Sequence, residues 1–209
     1  CELEMVAGGC DKDCHRRRFK TKLIAMGMCG YDRVLIEPSG IFDMDEFFDA
    51  LHEEPLDRWY QIGNVIAVVD AGLDEKMSEE ADYILASEVA DAGCIVLSKT
   101  QEASEKSIES TVNHLNRALE AVHCKRKFGE DEIIRKDWEQ FETEDFERIL
   151  NSGYIAEDYE KMNLDEKEVF KSLYFMDLEI SGEELRDAAQ KIMQDPACGS
   201  VFRIKGFTQ

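Results

Sequence analysis

Apolar positions along the chain recur in two periods. Four short runs, "ELEMV" (2–6), "RVLIE" (33–37), "NVIAVVD" (64–70) and "CIVLS" (94–98), have the length and the β-branched content of strands. Between them, "RRRFKTKLIAMGM", "MDEFFDALHE" and "SEEADYILASEVADA" carry apolar residues at helical spacing, with Asp43 and Ser78 placed to cap the second and third of these helices. Strand-length runs alternating with longer amphipathic ones predict β-α-β crossovers, and so a mostly parallel α/β sheet flanked by helices. Another amphipathic helix, "ASEKSIESTVNHLNRALEAV", follows "LSKTQ", and a polar, acid-rich stretch then runs from Gly129 to Asp145.

Near Asp165 the pattern changes. "EVFKSLYFMDLEI" is a long β-rich run, "SGEELRDAAQKIMQ" a helix opened by Ser181, and "GSVFRIKGF" a further strand. The expected organisation is one α/β domain over residues 1–164 and the beginning of a smaller α/β domain over 165–209.

Charge narrows the classes of partner. The 209 residues hold 46 acids against 25 Lys and Arg, a formal charge of −21, with Arg16, Arg17 and Arg18 the one small basic cluster. Neutralising phosphates needs clustered cations, so nucleic acid and anionic membrane surfaces are not expected partners. No apolar run reaches the roughly 20 residues of a membrane span, and the expected location is the cytoplasm. Seven cysteines at irregular spacing do not form a secreted disulfide framework; reduced thiols or metal ligands fit better.

In an open parallel sheet the carboxyl ends of the strands face the ligand crevice, which would line up Glu37, Asp70 and the pair Ser98-Lys99. A Glu at a strand end can hold Mg²⁺ through water. The Gly40 N–H can approach a terminal phosphate because no side chain blocks it, and Pro38 stiffens the turn between them. The plainer reading is a Pro-Ser-Gly turn with a solvated acid. "GGCDKDCH" offers two thiols, Cys10 and Cys14, and the His15 imidazole, a set able to bind Zn²⁺ with one position left open. Partly buried cysteines at a helix start are the alternative. His52, His114 and His123 are widely spaced on helical stretches, as surface or satisfied interior residues would be.

Taken in order, "GGC" before a helix, "LIEPSG", "VIAVVDA" and "CIVLSKTQ" resemble the CobW-like GTPases, relatives of the urease and hydrogenase metal-insertion GTPases. The resemblance covers nearly the whole chain, "GSVFRIKGF" matching the opening of the family's C-terminal domain. It implies a P-loop NTPase-like fold, GTP with Mg²⁺ as ligands, and hydrolysis coupled to metal delivery or to maturation of a metal- or cobalamin-dependent client. By resemblance, Glu37 and Gly40 are the Glu-x-x-Gly element that senses the γ-phosphate, and Ser98, Lys99 and Gln101 form the base-recognition loop.

Three departures stand out. The phosphate-cradling Gly-x-x-x-x-Gly-Lys-Ser/Thr loop occurs nowhere in the 209 residues, so the first β-α unit is expected to lie upstream of a fragment, leaving an exposed sheet edge that favours self-association. Gln101 stands where the family's Asp accepts two hydrogen bonds from guanine; an amide offers one acceptor, which leaves adenine open as an alternative base. Of the family's Cys-x-Cys-Cys, only Cys10 matches. A non-enzymatic metal-binding or adaptor protein on the same scaffold is the competing expectation.

Overall fold

The computed structural model describes residues 3–6, 12–38, 44–162, 173, 180–198, 201 and 204, without the side chains of 12–15, 45, 46, 130 and 196. The chain divides into two units, Cys1–Phe170 and Lys171–Gln209.

In the first unit the elements run α1 (Lys12–Cys29), α2 (Met44–Leu51), α3 (Leu56–Trp59), β1 (Ile66–Asp70), α4 (Glu79–Ala90), β2 (Cys94–Ser98), α5 (Glu105–Ala121), β3 (Ile133–Ile134) and α6 (Thr143–Leu150). The described strands form one all-parallel sheet in the order β1-β2-β3. Helices flank it, as expected for a P-loop NTPase-like α/β domain.

Local sequence explains the boundaries. Ser78 Oγ accepts from the Ala81 N–H to cap α4, and Ser104 Oγ accepts from the Ser107 N–H to cap α5, each satisfying a donor the first turn leaves orphaned. Strand β2 is buried almost throughout, whereas β1 alternates: Ala67 and Val69 enter the core while Ile66 and Val68 face outward. The main core packs these strands against α4 and α5 through Tyr83, Val89, Ile95, Leu97, Leu115 and Leu119. A second core joins α1, α2 and α3 through Leu23, Phe47, Phe48, Leu51 and Leu56. There, Phe19, Phe47, Phe48 and Tyr154 form a chain of ring contacts with centroids 5.2, 5.2 and 5.1 Å apart. Glu53 binds Arg16 and, at 2.6 Å, Lys20, tying the end of the α2 region to α1.

Two expected strands are corrected. Residues 3–6 and 33–37 form no strand and join no ladder among the described residues. Alternation favours an extended backbone; a strand also needs a neighbour to take its N–H and C=O groups, and here Leu3, Met5 and Leu35 face solvent. Conversely, β3 lies within the stretch read as merely polar and acid-rich. Its two residues are both buried beside β2.

In the second unit, α7 (Gly182–Gln194) starts in a capping box, Ser181 Oγ accepting from the Glu184 N–H while the Glu184 carboxylate accepts from the Ser181 N–H. The strand expectations over 168–180 and 199–207 fall largely outside the described residues, as does the Asp43 cap.

Candidate functional site at the carboxyl ends of the strands

Parallel pairing sets Asp70 directly opposite Ser98, so β1 and β2 end at one edge. The Asp70 carboxylate accepts from the Gly72 N–H at 2.8 Å and pairs with the Lys99 ammonium at 2.5 Å. Burial alone would raise this carboxyl; the lysine and the amide outweigh it and hold it below its usual range. The same hydrogen bond raises the Lys99 ammonium. Lys99 has a left-handed backbone with φ of 57°, a conformation that costs a residue with a Cβ about 1–2 kcal/mol. Ser98 Oγ donates back to the Val69 carbonyl at 3.2 Å. Ser98 and Lys99 thus knit the two strand ends together.

Past Lys99 the chain turns tightly, the Glu102 N–H reaching the Lys99 carbonyl at 3.0 Å, and enters α5. This turn forms one wall of an open groove of about 610 Å³, through Thr100, Gln101, Ala103 and Glu105, with Ile108 at its base. The size is that of a small-molecule cleft. The other wall follows β3 and carries Arg135, Lys136, Asp137 and Gln140. Lys136 is held by Asp145 at 2.8 Å and Glu142 at 3.4 Å from α6; its ammonium is raised chiefly by the Asp145 hydrogen bond. Behind this wall, Arg126 donates to the Ala90 carbonyl at 2.6 Å and to Glu132 at 2.8 Å, lying over the Phe128 ring at 4.4 Å. The groove therefore lies where α/β sheets bind ligands, outside the carboxyl ends of β2 and β3.

The loop after β1 is fixed by a polar strip on α5. Ser107 Oγ and Thr111 Oγ1 donate to the Ala71 carbonyl at 3.3 and 3.0 Å, and Arg117 donates to the Glu75 carbonyl at 3.1 Å. His114, buried, places Nδ1 2.7 Å from the Asp74 carbonyl and Nε2 2.7 Å from the Asp82 carboxylate. It is a satisfied interior histidine.

A comparison with protein families matches residues 2–128 to the CobW/HypB/UreG, nucleotide-binding domain. The chain belongs to this family. No curated protein and no solved structure matches it. CobW/HypB/UreG proteins are GTP-binding proteins of metallochaperone type, so guanine nucleotide with Mg²⁺ is the ligand that membership implies.

Of the residues singled out from sequence, Gln101 lines the groove, while Ser98 and Lys99 stand beside it with their side chains turned to β1. Glu37 is exposed on the segment 33–37, which joins no ladder among the described residues. Asp70 is already held by Lys99 and the Gly72 N–H. Gly40 and Cys10 lie outside the described residues, and Cys14 and His15 are described only as backbone in the first turn of α1. Among the described residues no three His, Cys, Asp or Glu side chains gather to hold a metal, and no helix is long and apolar enough to cross a membrane. Cys94 and Cys124 are buried, and burial raises both thiols, which suits small core residues. Sequence reasoning missed the Arg135–Gln140 wall; its only signal was an apolar pair, Ile133-Ile134, followed by two cations in an acid-rich stretch.

Proposed function

We propose that this chain carries the base-binding and γ-phosphate-sensing part of a GTPase whose nucleotide state governs metal delivery, or maturation of a metal- or cobalamin-dependent client, in the cytoplasm. The observation that supports it is the groove beyond β2 and β3, walled by the Gln101 turn, within a chain of a GTP-binding family. Gln101 contributes to base contact, with Ser98 and Lys99 fixing the turn that carries it. Glu37 and Gly40 act at the γ-phosphate end, where bound Mg²⁺ would neutralise phosphate charge. Cys10, Cys14 and His15 hold the cargo metal, Zn²⁺ being the ion their donors suit. Residues 165–209 open the family's C-terminal domain, and the uncovered outer side of β1, with Val68 69% exposed, favours self-association.

Backbone amides of a Gly-x-x-x-x-Gly-Lys-Ser/Thr loop supply most phosphate contacts in such enzymes, and the 209 residues contain none. The isolated chain should therefore bind GTP weakly and not turn it over. A longer polypeptide carrying that loop ahead of Cys1 should do both, and Glu37→Gln should lower its kcat more than its affinity. Rapid GTP hydrolysis by the 209 residues alone, or unchanged kcat in the Glu37→Gln enzyme, would contradict this reading. Cys10→Ser should remove most bound Zn²⁺ and Cys124→Ser should not; equal losses would reject the metal assignment.

A further inference from the structure

Guanine presents two edges, the acceptors O6 and N7 and the donors N1–H and N2–H₂, whereas adenine puts an amino donor at position 6 and an acceptor at N1. Gln101 has a single acceptor oxygen and cannot match the paired donors. Glu105, four residues on, lines the same groove; it is exposed and has two acceptor oxygens. On the facing wall, Arg135 is exposed and makes no ion pair among the described residues, whereas its neighbour Lys136 is committed to Asp145 and Glu142. Ala103 and the buried Ile108 give the groove an apolar surface for a flat ring.

We propose that Glu105 and Arg135 determine base specificity in this groove, an inference that rests on the nucleotide-binding reading above. The Glu105 carboxylate accepts from N1–H and N2–H₂, doing what Gln101 cannot, and the Arg135 fork donates to O6 and N7. Adenine would set its 6-amino donor against the guanidinium and its N1 lone pair against the carboxylate, leaving both charges unmatched. In a chain of net charge −21, a guanidinium with no ion pair among the described residues, on the wall of a groove, is also a local site of attraction for an acceptor-rich ligand.

Nucleosides carry no phosphate, so they probe the groove without the phosphate cradle. Saturation-transfer NMR on the 209-residue chain would compare guanosine, inosine, 7-deazaguanosine and adenosine. Guanosine should bind roughly tenfold or more tightly than adenosine, as hydrogen bonds to charged groups allow. Glu105→Gln should bring guanosine and inosine to equal affinity, because inosine lacks the 2-amino group, while Arg135→Ala should equalise guanosine and 7-deazaguanosine. If Glu105 serves only as a charge in the first turn of α5, its loss would weaken all nucleosides alike; unchanged ratios, or no nucleoside binding at all, overturn the inference. GTP binding by the longer, loop-bearing polypeptide judges the nucleotide-binding reading separately.

Discussion

Glu88 gives the most direct pH prediction. It lies on α4, whose neighbouring positions Tyr83 to Ser87, Val89 and Ala90 are all buried, and burial pushes its carboxyl from 4.5 up to about 7. A raised folded pKa means the native state holds a proton that the unfolded chain has released between about pH 4.5 and 7. Stability therefore falls as pH rises through that window. A rise from 4.5 to about 7 corresponds to about 3 kcal/mol of destabilisation above pH 7, at 1.36 kcal/mol per unit. Glu88→Gln removes the titration while keeping the shape. Urea unfolding followed by circular dichroism at pH 4.5, 6 and 8 should find the variant near wild type at pH 4.5 and more stable by roughly 2–3 kcal/mol at pH 8. A stability difference that does not change with pH would refute the reasoning, since other titrating groups cancel in it.

Two further predictions concern the backbone around the strands. A Cβ at Gly93 would lie 2.3 Å from the Ser152 carbonyl oxygen and 2.4 Å from that of Gly153, so Gly93→Ala must displace the segment that bridges Ala92 to Tyr154. A loss of about 1–3 kcal/mol in the urea midpoint analysis is expected, as for other overpacked sites. Thr111 and Ser107 both donate to the buried Ala71 carbonyl, so either one alone covers for the other. Thr111→Val and Ser107→Ala should each cost about 1 kcal/mol or less, and the double variant roughly 1 kcal/mol beyond their sum; additivity would show that the two bonds are not alternatives.

The parts legible in the sequence were those decided locally. Helices α4, α5 and α7 follow from periodicity, and Ser78 and Ser181 cap α4 and α7 without help from distant residues. Strands β1 and β2 follow from apolar runs long enough to be buried as a parallel pair. What failed depended on neighbours distant in sequence. "RVLIE" has strand composition but no ladder partner among the described residues, whereas Ile133-Ile134, too short to signal a strand, becomes one because β2 offers a free edge. The site divides in the same way. The Gln101 turn could be located from the strand before it; Glu105, within the predicted helix, and Arg135, in a polar stretch, become groove residues only when β3 is laid beside β2.

The central claim is that the groove beyond β2 and β3 receives the base of a nucleotide. Amide chemical-shift mapping of the isotopically labelled chain titrated with guanosine tests it most directly, because each affected residue reports its own position. The account predicts saturable shifts concentrated at Thr100–Glu105 and Arg135–Gln140, with the α1–α3 core unaffected. Shifts centred on Leu51–Tyr60, or none at millimolar guanosine in a folded sample, would contradict it.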